Sequence, residues 1–326
     1  MNLQLTSNKY KNLQRWVWQK RVDQQHNNKA IGVRTKPLFF AVIECSGIDY
    51  LAQLMKKSLV PIDIHDGPLD NLTPRLFFNK DRDSLALDYS KTLPDDHPLF
   101  HIYDLLTHQS IREFRKQQTS PRGQTKFCII KETHALLGTE ALLRTMKCKM
   151  LLLIDDPLSI VAQQIDLYGL DSTYLKREKN SVQQPEFLTR FLRKNYKPVR
   201  HAFHNARKKS DPRERVIIER VLTVALIQHM FRMLALRYPS LVTVVARHDI
   251  SSTPERFQKV LTFLTDSSSQ EVIDDFMEEV SFLTYSGDRR VWKNSWPLSS
   301  IATGGLSSNE LSQGFKTLKT CGLYSV

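Results

Sequence analysis

Four short apolar runs, each followed by a stretch of helix length, constrain this 326-residue chain more than any other feature. Residues 38–43 (LFFAVI), 126–131 (KFCIIK), 150–154 (MLLLI) and 241–246 (LVTVVA) are too short for core helices and rich in branched and aromatic side chains. They are nearly continuously apolar rather than alternating, the pattern of strands covered on both faces. Helical patterns follow at 50–59, 135–146 and 158–165, and another, opened by Pro254, reaches residue 264. Residues 99–118 and most of 185–239 also read as helix. Strands separated by helices of this length predict an α/β fold, a central parallel sheet flanked by helices in three layers. Prolines and aspartates between 61 and 98 indicate irregular structure. Residues 1–35, polar and basic with Trp16 and Trp18, read as an N-terminal helical extension. Residues 36–285 read as the α/β domain, and 286–326 as a Ser- and Gly-rich C-terminal tail of loop with short helices, which includes a basic and Trp-Lys element.

Several classes of protein are disfavoured by composition. Apolar residues make up 41% and charged residues 25%, as in an ordinary globular chain. The most apolar stretch, 221–236, contains Gln228, His229 and Arg232, which suits a buried helix and not a membrane span. The first ten residues lack the apolar segment of a secretory signal. Cys45, Cys128, Cys148 and Cys321 are scattered without C-x-x-C spacing, so no metal site is expected and a reducing, cytoplasmic location is. A net charge of +13 attracts anions without choosing among them. Basic residues are densest between 176 and 220, where Arg190, Arg193, Lys194, Lys197, Arg200 and Arg207 stand close together.

In an open parallel sheet, ligands gather at the carboxyl ends of the strands. Three such ends stand out: residues 44–49, residues 132–134, and Asp155-Asp156. The first joins a strand to a helix through a glycine-containing turn, an arrangement that aims backbone N–H groups and a helix dipole at an anion. A nucleotide-hydrolysing P-loop would also need a Gly-Lys pair, and the chain has none. The run into Asp155-Asp156 matches a loose Walker B pattern, which carries no weight without that lysine.

Taken together, the segments resemble sulfotransferases. KFCIIKETHALLGTEALLRTMKCKMLLLIDDP is similar to that family's strand, Lys…Thr-His group, helix and second strand. RYPSLVTVVARHDISSTPERFQKVLTFL is similar to its later strand, turn and Pro-Glu helix, and GDRRVWKNSW to its C-terminal basic and Trp-Lys element. FFAVIECSGIDYLAQLM stands where the family has its phosphosulfate loop. The resemblance runs in order from about residue 36 to 296. It implies a sulfotransferase or P-loop-like architecture and transfer of a sulfuryl group from 3′-phosphoadenosine 5′-phosphosulfate to a hydroxyl or amine. The acceptor would be a small molecule or a glycan; nucleic acid is not the expected partner, and oligomeric state is not readable. By the same resemblance, Ser46 and Gly47 would present N–H groups to the donor, His134 would be the base, and Lys131 would neutralise charge on the bridging oxygen. Arg289, Arg290 and Lys293 would meet the 3′-phosphate. Taken without the resemblance, His134 is a helix-start residue and Lys131 a solvated strand-end lysine.

The departures fall at the donor. Cys45 replaces a cation, Ile48 and Asp49 replace threonines, Asp155 replaces an arginine and Gln163 a serine. A carboxylate ~4 Å from a phosphate opposes it by ~1 kcal/mol in water and ~4 kcal/mol at a surface-like dielectric. Asp49 and Asp156 have another use, since Asp caps helices and Asp156-Pro157 has the N-cap and Pro-at-N1 signature. Three functions follow: an active sulfotransferase with rewired phosphate contacts, a binding protein that kept the fold and lost the donor, or a basic polyanion binder.

Overall fold

The structure is a computed structural model. It describes residues 36–43, 62–66, 127–132, 136–170, 176–192, 196–246, 259–260, 262–264 and 305–323. Five strands, β1 (Lys36–Val42), β2 (Ile62–Asp66), β3 (Phe127–Glu132), β4 (Lys149–Ile154) and β5 (Val242–Ala246), form one sheet in the order β2-β3-β1-β4-β5. Every pairing is parallel. The α/β fold with a helix-flanked parallel sheet is therefore as the sequence predicts.

Parallel strands are normally shielded on both faces, and the central strands β1, β3 and β4 are. Phe39, Ala41, Ile43, Ile130, Met150, Leu152 and Ile154 enter the main core with the helices. Leu38, Ile129, Leu151 and Leu153 alternate with them and are equally buried on the opposite face. Seven helices are described: α1 (Thr139–Met146), α2 (Pro157–Tyr168), α3 (Lys176–Val182), α4 (Pro185–Leu192), α5 (Tyr196–Arg207), α6 (Pro212–Arg237) and α7 (Ser308–Thr320). Helix α6 is the hub. It packs against α2, α5 and α7 and against β5, and it is buried almost without a break from Ile217 to Gln228. That accounts for its apolar run, interrupted by polar residues that find partners: Gln228 Nε2 donates to Asp155 O at 2.8 Å, and His229 pairs with Phe191 O at 3.2 Å.

Three local readings differ from the sequence expectation. Strand β2 lies inside the segment expected to be irregular; among the described residues it is an edge strand, paired with β3, so its IDIHD sequence need not be apolar on both faces. The helix expected at 135–146 begins as a 3-10 turn, Leu136–Gly138, with Thr139 Oγ1 donating to Leu136 O at 2.6 Å. The C-terminal tail contains a full helix, α7, opened by a capping box in which Ser307 and Glu310 exchange bonds. Helix α7 packs on α6 and α2. The expected N-terminal extension and the helical readings at 50–59 and 99–118 lie outside the described residues. Among the described residues, no helix is long and apolar enough to cross a membrane.

Candidate functional site

The register fixes which strand ends meet. Ala41 of β1 pairs with Glu132 of β3, and Val42 with Leu153 of β4, so the last residues of all three strands lie along one edge. Neighbouring strands are ~4.8 Å apart, so the three ends span ~10 Å, the size of a phosphate group with its donors. The chain runs from β1 toward the β3–β2 side and later crosses to β4 and β5, so the strand order reverses at β1. In sheets of this kind the carboxyl edge at such a reversal is the usual ligand position. Residues 132 and 155 are thus brought to the same edge as Ile43, the residue that follows β1. Cys45, Ser46, Gly47, Ile48, Asp49 and His134 themselves, with Arg289, Arg290 and Lys293, lie outside the described residues.

Lys131, one residue from the end of β3, is only 7% exposed. By alternation it shares the sheet face of Ile129, so it is not the solvated strand-end lysine that its position alone suggests. A buried ammonium is costly unless a partner or a bound anion offsets it, and Lys131 does have interactions within the chain. Its register partners are Phe40 of β1 and Asp66 of β2.

The β4 end is organised around two carboxylates. Asp155 Oδ1 accepts the Asp156 N–H at 2.8 Å, and Asp156 Oδ2 accepts the Ser159 N–H at 2.8 Å. Asp156 is the N-cap of α2 and Pro157, which has no N–H, stands in its first turn. The cap signature read from the sequence is therefore present. Its consequence is chemical: N–H groups that a helix start would offer to an anion are already taken by the chain's own carboxylates. Asp155 is further tied to the core, its carbonyl accepting from Gln228. Residues of this kind do not fit a phosphate at this strand end. Gln163 lies on α2 about two turns beyond the N-cap, and its side-chain nitrogen is buried with no hydrogen bond among the described residues.

A feature with no sequence signal is the clamp around Glu140 of α1. Glu140 is completely buried and bonds the guanidinium of Arg190, at the last turn of α4. Arg237 Nη1 lies 3.8 Å from the same oxygen, and the Tyr238 hydroxyl donates to it at 3.4 Å. Arg237 also donates to Arg190 O at 2.9 Å and sits 5.3 Å from the Phe191 ring centroid. The clamp fixes α1, the helix that follows β3 and the 3-10 turn, to α4 and the end of α6. Arg190 is thus a structural cation and not part of a free basic surface. Glu219 of α6, buried, does the same for two more of the basic residues, with Lys179 at 3.0 Å and Arg207 at 3.8 Å.

No protein-family model matches the chain, and no curated protein matches it. Among solved structures it is similar to mouse sulfotransferase SULT7A1 complexed with PAP, at 12% identity over 90% of this chain and 87% of that one, with a TM-score of 0.41. It is also similar to retinol dehydratase in complex with androsterone and inactive cofactor PAP, at 13% identity over 89% and 82%, with a TM-score of 0.36. Likeness at this level assigns no residue a role. Among the described residues, no group of three or more His, Cys, Asp or Glu side chains is placed to hold a metal ion.

Proposed function

We propose that the chain is a sulfotransferase-type protein whose ligand site is the carboxyl edge of β3, β1 and β4, accepting an anionic adenosine nucleotide and a hydroxyl- or amine-bearing acceptor. The observation that carries this reading is the shared edge itself: Glu132 beside Ala41 and Leu153 beside Val42, at the point where the strand order reverses. When bound, the donor 3′-phosphoadenosine 5′-phosphosulfate supplies the sulfuryl group. In this reading Ser46 and Gly47 hold its phosphosulfate by backbone N–H groups, with Cys45, Ile48 and Asp49 completing the turn. His134 takes the acceptor's proton, a role that suits imidazole as a side-chain type. Lys131 supplies positive charge at the strand end. The 3′-phosphate is held by Arg289, Arg290 or Lys293, because Asp155 and Asp156 oppose it and the start of α2 is self-capped.

That same self-capping favours a second reading, a protein of this fold that no longer takes the donor. Calorimetric titration with adenosine 3′,5′-bisphosphate, the desulfated donor, separates the two. Micromolar binding supports the sulfotransferase; no heat at millimolar ligand supports the degenerate site. In the first case His134→Ala abolishes sulfuryl transfer and leaves bisphosphate affinity unchanged. Undiminished transfer would remove His134 from the chemistry.

A further inference from the structure

A cleft of about 800 Å³ opens between α5, α6 and α7, a volume that suits a small organic ligand. It is remote from the sheet edge. Ile218, in its lining, precedes Gln228, the residue that touches Asp155, by ten positions, or ~15 Å along α6. One wall is a single stripe of α5, Lys197, His201 and Asn205 at four-residue spacing, extended by Lys209 just beyond the helix. The facing wall is a stripe of α7, Gln313, Lys316, Thr317 and Thr320. Pro198, Ala202, Ala206 and Ile218 give the cleft an apolar floor.

Among the described residues that line the cleft, the charged ones are all basic. Lys209 is paired with Glu214 at 2.8 Å. Among the described residues, no acid lies within ion-pairing distance of Lys197 or Lys316, both exposed. An ordinary solvated helix face interleaves both signs; α5 has no acidic residue at all in its twelve positions. The Gln313 side-chain oxygen is buried and makes no hydrogen bond among the described residues; as an acceptor it calls for a donor and adds nothing to the pull on an anion, which rests on the lysines. The hydroxyls of Thr317 and Thr320 already donate to Gln313 O and Lys316 O, both at 2.8 Å.

Cations at the rim favour a negative charge, and an apolar floor favours a body that sheds water. A bare inorganic ion gains nothing from the floor, and a neutral apolar molecule gains nothing from the lysines. We propose that this cleft is a second ligand site, taking a small amphipathic organic anion: an aromatic or branched aliphatic body bearing one sulfonate, sulfate, carboxylate or phosphate. The proposal does not depend on sulfuryl transfer at the sheet edge.

The test is a calorimetric titration of the full chain with naphthalenesulfonate, repeated with naphthoate, inorganic sulfate and uncharged naphthalenemethanol, each with and without adenosine 3′,5′-bisphosphate. Naphthalenesulfonate is expected to bind at micromolar concentration, and naphthoate shows whether a carboxylate head serves equally well. Inorganic sulfate and the alcohol should bind at least tenfold more weakly, and the bisphosphate should not compete. Lys197→Glu and Lys316→Glu, both exposed and so expected to keep the wild-type thermal midpoint, should each weaken naphthalenesulfonate at least tenfold and leave the alcohol unaffected. The proposal is overturned by absence of binding at millimolar ligand, by equal affinity for the alcohol, by displacement with bisphosphate, or by unchanged affinity in both variants.

Discussion

Replacing Glu140 by Gln tests the buried clamp with the least change of shape. The carboxylate is fully buried and engages Arg190 through both oxygens, with Arg237 Nη1 at 3.8 Å and the Tyr238 hydroxyl at 3.4 Å. Glutamine keeps the volume and one acceptor oxygen, so the substitution removes charge and little else. Removing one partner of a buried ion pair costs about 3–5 kcal/mol, because the remaining charge is stranded. Here the Arg190 and Arg237 side chains are 29% and 24% exposed, so their guanidinium groups can recover some hydration. The expected loss is therefore at the low end, about 3 kcal/mol, a large share of the roughly 5–15 kcal/mol that holds a typical domain together. Urea unfolding followed by circular dichroism measures it: the midpoint should fall with the slope unchanged. A loss below about 1 kcal/mol, the range of exposed ion pairs, would refute the claim that this clamp organises α1, α4 and α6.

Three further outcomes are expected. Gly305→Ala places a Cβ 2.5 Å from Ala162 O, a backbone atom of α2 that cannot step aside; thermal unfolding should show a loss of about 1–3 kcal/mol, and an unchanged midpoint would mean that residue 305 does not approach α2 as described. At Glu310, burial raises the carboxyl pKa, but bonds from Arg213 and from the Ser307 backbone and hydroxyl outweigh it and hold the group below its ordinary 4.5. A depressed pKa contributes stability that is complete above the unfolded value and lost as pH falls through the folded one. Acid should therefore destabilise wild type more steeply than Glu310→Gln below about pH 4.5, and parallel curves would contradict the coupling. Asp156→Ser keeps a capping oxygen for Ser159 while removing a charge. If the β4 end faces the nucleotide, adenosine 3′,5′-bisphosphate should bind about tenfold tighter or more, and unchanged affinity would turn that strand end away from the ligand.

What could be read from the sequence follows from how local each signal is. Strands β1, β3 and β4 are visible because burial on both faces demands uninterrupted apolar runs, β5, at the other edge and only partly buried, because its VTVVA run is β-branched and apolar all the same, and the Asp156 cap is visible because all its parts lie within four residues. Strand β2 was hidden by its edge position, which tolerates Asp63, His65 and Asp66. The start of α7 is readable in principle, from Ser307 followed three residues later by Glu310, but its Ser- and Gly-rich surroundings suggest loop with only short helices, not one of thirteen residues. The burial of Lys131 and the Glu140 clamp had no local signal. Glu140 meets partners fifty and ninety-eight residues away, and the side chain it buries is one that composition assigns to the surface. The same distance effect sorted the basic residues. Arg190 and Arg207 are bound to interior carboxylates, whereas Lys197 and Lys316 stand at a cleft that only the packing of α5 and α7 on α6 creates.

Hydrogen–deuterium exchange of the full chain, with and without saturating adenosine 3′,5′-bisphosphate, tests most directly whether the three strand ends form one ligand site. Protection should appear together in peptides spanning 42–49, 131–136 and 153–158, at the ends of β1, β3 and β4, with none added along α5. Protection confined to the α5 and α7 peptides, or distributed with no preference for the carboxyl edge, would contradict the account.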